Sequence, residues 1–130
     1  MTDSTRYNDW IIKANEDLSS AKILFANEGV NSIITFHCQQ AAEKMLKAFL
    51  LFKSGEVVSG HSLAYLLRRC EKYDESFDDI KEHTYTLDDY YIETRYPADT
   101  PIDITDKETR ESIDSANTIL DFISNIINNN

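Results

Sequence analysis

The chain has 130 residues, of which 42% are hydrophobic, and its 13 basic and 23 acidic side chains give a formal net charge of −10. This hydrophobic content excludes an intrinsically disordered chain, and only three Gly and two Pro favour long helices over a turn-rich β fold. The negative charge opposes non-specific binding to nucleic acid, because Lys and Arg must displace the counterions around phosphates, but it does not exclude a small local cationic site.

The first part of the chain predicts two long helices. Apolar side chains recur every three or four positions from Trp10 to Phe25, which is the spacing of one helix face and predicts a first helix over residues 7–27. Gly29 is predicted to stop it. Residues 31–52 predict a second helix, and the very short connection makes the two helices antiparallel.

The second predicted helix carries two adjacent rows of apolar or small residues. One row is Ile34, Cys38, Ala41, Met45, Ala48 and Phe52, and the other is Ala42, Leu46, Phe49 and Leu50. Such a wide apolar arc predicts a helix at the centre of a bundle. We also expect the arc to exceed what packing within one chain can cover, which would leave exposed apolar patches and favour a homodimer.

The rest of the chain predicts shorter helices. Residues 53–60 indicate a loop, residues 62–73 a third helix, and residues 74–94 a fourth. Pro97 and Pro101 predict a non-helical connector, since proline lacks a backbone donor. The sequence from Thr105 to Glu108 is a capping-box pattern that opens a last helix, which frays near residue 128.

No segment has the alternating period of a β-strand. The sequence therefore predicts an all-α, up-and-down bundle of four or five helices, which forms one domain over residues 1–130 with a core at about residues 8–127.

Composition also limits the chemistry. The cysteines Cys38 and Cys70 lie in predicted helices and are expected as buried free thiols. The histidines His37, His61 and His83 are too scattered to form a metal site, so neither metal nor cofactor is expected. The first residues lack the apolar core of a signal peptide, and no stretch has the length of a membrane span. We therefore expect a cytoplasmic protein with no membrane contact.

Four short elements, in order along the chain, together resemble the HEPN (higher eukaryotes and prokaryotes nucleotide-binding) domain family. These are Trp10 with Ala14 to Ala21, the run Gln39-Gln40-Ala41-Ala42-Glu43-Lys44, His61-Ser62-Leu63, and Thr94-Arg95-Tyr96-Pro97. The resemblance implies a dimeric helical bundle, often encoded beside or fused to a minimal nucleotidyltransferase. Some members of the family are ribonucleases, including toxins that such a partner silences.

The ribonuclease members resemble one another in an Arg that is followed, after a short spacer, by a His. Arg95 is the matching Arg here, but Thr100, Pro101 and Ile102 occupy the corresponding window, and no His follows Arg95 in the sequence. We therefore expect no catalytic residue and predict a non-enzymatic interaction or nucleotide-binding module of a toxin–antitoxin-like system. RNA is not an expected ligand.

Two alternatives remain open at this point. One is a metal-independent endoribonuclease with an atypical base, His61 or His37, in which Arg95 stabilises the phosphorane. The other is a stand-alone binder of a small nucleotide.

Six polar or aromatic residues are candidates for contact with a nucleotide. They are Arg95, Tyr96, Lys44, Lys47, Gln40 and His61. A guanidinium can form two parallel hydrogen bonds with a phosphate, and two lysines three positions apart share part of one helix face and would add to a cationic patch. Gln40 could contact a base.

Each candidate also has a purely structural interpretation. Arg95 could pair with Glu43 or Asp17, and the two lysines could extend from a buried helix to solvent. Gln40 could hydrogen-bond inside the bundle, and His61 could stabilise the start of the third helix.

Overall fold

Helices form every regular element in the part of the chain that the computed structural model describes, residues 6–90 and 103–129. The elements are α1 (Tyr7–Ala26), α2 (Asn31–Ser54), α3 (Leu63–Glu71), a 3-10 helix (Glu75–Ile80), α4 (Lys81–Asp88) and α5 (Asp106–Asn128). This confirms the predicted all-α fold. The expected end of the fourth helix and the proline connector lie outside the described residues.

Helix α2 lies at the centre of the bundle and packs against all four other α-helices. Both of its predicted apolar rows are buried, with side chains such as Met45, Leu46 and Phe49 fully excluded from solvent. Phe52 is half-buried, and its ring packs edge-on against that of Tyr7, with 4.9 Å between the centroids. The expectation that these two rows leave exposed apolar patches is therefore wrong, because the other helices of the same chain cover the wide arc.

In the turn between α1 and α2, the residue with left-handed backbone is Glu28, one position before the Gly29 that the sequence predicts as the helix stop. Glu28, with φ at 59°, takes the left-handed conformation that a glycine usually supplies at a helix end. Gly29 serves another purpose, since its N–H donates to the Leu24 carbonyl at 2.6 Å. A Cβ on Gly29 would lie only 2.9 Å from that carbonyl oxygen, so the turn requires a residue without a side chain there.

The start of α3 is held by two side chains. The Ser62 hydroxyl accepts from the Tyr65 N–H at 3.2 Å, as expected of a helix cap. The Asp88 carboxylate, which comes from the last turn of α4, accepts from the N–H groups of Leu63 and Ala64 at 2.7 and 3.2 Å. The beginning of α3 and the end of α4 are thereby fixed to each other.

The segment predicted to start the fourth helix is a separate 3-10 helix. Asp74 caps it by accepting from both the backbone and the hydroxyl of Ser76, at 3.0 and 2.6 Å. Phe77 and Ile80 are buried, and their spacing of three places them on one face of a 3-10 helix. The α-helical part starts only at Lys81.

Helix α5 begins with the predicted capping box. The Thr105 hydroxyl accepts from the Glu108 N–H, and the Glu108 carboxylate accepts from the Thr105 N–H in return. Among the described residues, no helix is both long enough and apolar enough to cross a membrane.

Candidate functional site

The Glu43 carboxylate lies at the centre of a polar network on α2. Lys47, one turn later, donates to it at 3.1 Å, and the Nδ1 atom of His61 lies 3.2 and 3.3 Å from its two oxygens. The amide of Gln39, one turn earlier, donates to it at 3.4 Å. The Glu43 and Lys47 side chains are only 6% and 9% exposed, so this ion pair is shielded from solvent.

Gln39 and Gln40 extend this network towards α3. Gln40 donates its amide to the Gln39 side-chain oxygen at 2.8 Å, and Gln39 also donates to the backbone carbonyl of His61 at 3.3 Å. Gln39 is fully buried. Sequence reasoning did not select it, although its position four residues before Glu43 places both side chains on one helix face.

A second cluster surrounds Asp17, which α1 contributes. The Lys44 ammonium donates to one of its carboxylate oxygens, and the Nδ1 atom of His37 lies 3.1 Å from the other. The Asp17 side chain is only 15% exposed. Asp17 neutralises Lys44 and does not touch the Glu43 network through any of these bonds.

The two lysines therefore do not act as one cationic patch. Each has its own carboxylate partner, Asp17 for Lys44 and Glu43 for Lys47. Lys47 also does not extend to solvent, contrary to the structural interpretation of the sequence. Its ammonium lies 5.8 Å from the centre of the Trp10 ring, in a cation–π arrangement.

His61 combines a buried partner with an accessible ring. Its side chain is 58% exposed while Nδ1 faces the Glu43 carboxylate. An ionised carboxylate can only accept a hydrogen bond, so this contact requires a proton on Nδ1 and fixes the orientation of the ring. The arrangement is that of a histidine oriented by an acid, as in many general bases.

The structure thus brings three of the six predicted site residues together, Gln40, Lys47 and His61. Lys44 lies in the separate Asp17 cluster, while Arg95 and Tyr96 lie outside the described residues.

Neither the buried polar atoms nor the cysteines add a reactive group. In residues 6–90 and 103–129, every buried side-chain nitrogen and oxygen has a hydrogen-bond partner. Burial, followed by the nearby Asp17 carboxylate, raises the pKa of the Cys38 thiol to about 12. Burial likewise raises the pKa of Cys70. No group of metal-ligating side chains is found in the same part of the chain.

Comparison with known proteins shows to which protein family the chain belongs. The model of the HEPN domain family matches residues 7–126. The chain belongs to this family, and the predicted resemblance is confirmed. Among curated proteins, none matches the sequence.

Two solved structures are similar over almost their whole length. The protein TT1696 from Thermus thermophilus is 34% identical, with a TM-score of 0.83 over 96% of this chain and 98% of that protein. ST0689, described as an archaeal HEPN homologue, is 30% identical, with a TM-score of 0.75 over 94% of this chain and 98% of that protein.

Proposed function

We propose that the protein is a non-enzymatic HEPN interaction module. It forms a homodimer and associates with a minimal nucleotidyltransferase in a toxin–antitoxin-like system of the cytoplasm. The observation that carries this proposal is the internal neutralisation of the α2 lysines, Lys44 by Asp17 and Lys47 by Glu43.

Cleavage of RNA without a metal sets two requirements that the described residues meet poorly. A base must take the proton of the 2′-hydroxyl, and a cation must stabilise the charge that develops on the phosphorane. Lys44 and Lys47 already hold carboxylates, and the His that follows the Arg in ribonuclease relatives is missing after Arg95. A net charge of −10 also opposes the capture of RNA.

Membership of the family supports a proposed partner and a proposed ligand. The resemblance implies a minimal nucleotidyltransferase partner, and we place a bound nucleotide near Arg95 and Tyr96. In this proposal the buried Lys47, which donates to Glu43, and the half-buried Gln40, which donates to Gln39, position the neighbouring elements. Buried free thiols are compatible with a reducing compartment.

Two measurements test the proposal. Labelled RNA incubated with the purified protein and a chelator should remain intact, and the Arg95→Ala variant should give the same result. A tagged copy expressed in its native host should co-purify with a nucleotidyltransferase, identified by mass spectrometry. Cleavage that disappears in Arg95→Ala would contradict the absence of enzymatic activity.

One observation favours a second candidate, a metal-independent endoribonuclease in which His61 is the base. The buried Glu43 carboxylate orients the accessible imidazole, and this pairing prepares a histidine to accept a proton. In this case RNA cleavage would be lost in both His61→Asn and Glu43→Gln. The matched variant His37→Asn changes the histidine of the Asp17 cluster and would leave cleavage unchanged.

A further inference from the structure

The outward side of α3 carries three cations and one aromatic ring, and we call it the α3 face. Its residues lie three or four positions apart and fall within an arc of about 100° on the helix. They are Tyr65, Arg68, Arg69 and Lys72. Glu71, the one acidic residue of α3, lies beside this arc and is half-buried. The α3 face is therefore positively charged on a chain whose net charge is −10.

The cations of the α3 face have no carboxylate partner. Within the described residues 6–90 and 103–129, neither arginine of this face nor Lys72 forms an ion pair. Exposed lysines elsewhere do find a partner, since Lys13 lies 3.2 Å from a carboxylate oxygen and Lys81 lies 3.3 Å from another. The positive charge of the α3 face is thus not neutralised within this part of the chain.

The Tyr65 ring holds one guanidinium of the α3 face in place. Nη1 of Arg69 donates to the Tyr65 hydroxyl at 2.6 Å, and the guanidinium carbon lies 5.7 Å from the centre of the ring. Gly60 lies beside the same ring, where a Cβ would be 3.6 Å from it. The hydrogen bond uses one of the five N–H donors of Arg69. Because the side chain is already ordered, binding an anion through the other donors costs less conformational entropy.

Carboxylates limit the α3 face at both ends. Asp88 accepts from a backbone N–H at the start of α3 at 2.7 Å, and the exposed Glu75 lies three residues beyond Lys72. The distance from Tyr65 to Lys72 along the axis is only about 10 Å. A nucleic-acid strand carries a negative charge at every nucleotide and would meet these carboxylates. A protein surface can present carboxylates opposite the cations alone, so the charge pattern favours a protein.

We infer that the α3 face binds an acidic segment of a partner protein, with carboxylates about one helical turn apart. Arg68 and Lys72 are four positions apart, which separates them by about 6 Å along the axis. Glutamates four positions apart on a second helix have the same spacing. The inference rests on the association with a protein partner in the proposed function, and it adds the surface and the charge of that contact.

Fluorescence anisotropy with a labelled peptide tests this surface. The probe is an alanine-based helical peptide of about 16 residues with glutamate at every fourth position, and its matched control has glutamine at those positions. The wild type should bind the glutamate peptide, less tightly as salt is added, and should not bind the glutamine peptide. Arg68→Gln/Lys72→Gln should weaken this binding by about fivefold, because two charge pairs are lost.

A second double variant controls for the change in net charge. Lys107→Gln/Arg110→Gln removes two exposed cations from α5, and neither forms an ion pair within the described residues. This variant should bind the glutamate peptide like the wild type. Cations near a helix end also interact with the helix dipole, but that role alone would change stability in Arg68→Gln/Lys72→Gln and leave peptide binding unchanged.

Three results would overturn the inference. They are no binding of the glutamate peptide to the wild type, equal weakening in both double variants, and tighter binding of a short oligouridylate of matched charge. If any of these occurs while a nucleotidyltransferase co-purifies with the protein, the α3 face is not the contact but the proposed partner stands. If the peptide binds through the α3 face and no nucleotidyltransferase co-purifies, the proposed partner is wrong and the site for an acidic segment stands.

Discussion

The Glu43 carboxylate and the Lys47 ammonium lie 3.1 Å apart on adjacent turns of α2, and their side chains are only 6% and 9% exposed. A similar pair on the surface of α1 provides a direct comparison. Lys13 and Glu16 lie 3.2 Å apart, but their side chains are 66% and 60% exposed. The two pairs have nearly equal separations and differ in their access to water, and this difference determines how much each contributes to stability.

Removing the cation of the buried pair should destabilise the protein strongly. Lys47→Met leaves the Glu43 carboxylate buried without its ammonium partner, and such a loss costs about 3 kcal/mol in the free energy of unfolding. Lys13→Met in the exposed pair should cost less than about 1 kcal/mol. Urea unfolding of the wild type and both variants measures the difference. If the two substitutions lowered the free energy of unfolding equally, burial of the Glu43–Lys47 pair would not increase its contribution to stability.

The turn between α1 and α2 should respond in opposite directions to two neighbouring substitutions. Glu28→Gly removes the steric cost of a side chain at positive φ and should stabilise the fold by about 0.5–1 kcal/mol. Gly29→Ala places a Cβ 2.9 Å from the Leu24 carbonyl oxygen and should destabilise it by about 1–3 kcal/mol. Thermal unfolding followed by circular dichroism tests both signs. A gain in stability from Gly29→Ala would refute this description of the turn.

The contribution of Asp74 to stability should depend on pH. Hydrogen bonds from the hydroxyl and then the backbone N–H of Ser76, with help from the charge of Lys53, hold the pKa of Asp74 below 3.8 against a small opposing effect of burial. The contribution is therefore complete above pH 3.8, where the unfolded carboxyl is also ionised, and is lost as the pH falls through the lower folded pKa.

At neutral pH, Asp74→Ala should lower the free energy of unfolding by about 1 kcal/mol, as for other helix caps. The gap in melting temperature between this variant and the wild type should narrow below pH 3.8. Asp79→Ala removes an exposed carboxylate from the same 3-10 helix and controls for the change in net charge. A gap that widens in acid would contradict the sign of this linkage.

The two cysteines should report unfolding of the whole bundle. Burial raises the pKa of Cys38 to about 12 and also raises that of Cys70, so very little reactive thiolate exists in the folded state at neutral pH. An aromatic disulfide reagent should therefore label both thiols only as fast as the protein unfolds. Val57→Cys adds an exposed thiol as a positive control and should react at once. Immediate labelling of a native cysteine would show that the bundle opens locally.

The sequence alone predicts those contacts that form between residues close to each other along the chain. The capping box of Thr105 and Glu108 forms within a few residues, so local spacing predicts it. Helical periodicity likewise predicted the fold and the central place of α2, since burial follows the repeat of apolar side chains.

Only the tertiary structure decided which side chains meet. The spacing placed Glu43, Lys44 and Lys47 on α2, but Lys44 reaches Asp17 only because α1 packs beside it, and Trp10 of the same helix lies close to Lys47. Sequence spacing likewise cannot measure how much of an apolar arc the neighbouring helices cover. Distances between helices depend on the packing of the whole bundle, and these distances determine both the ion pairs of the candidate site and the side chains that remain exposed.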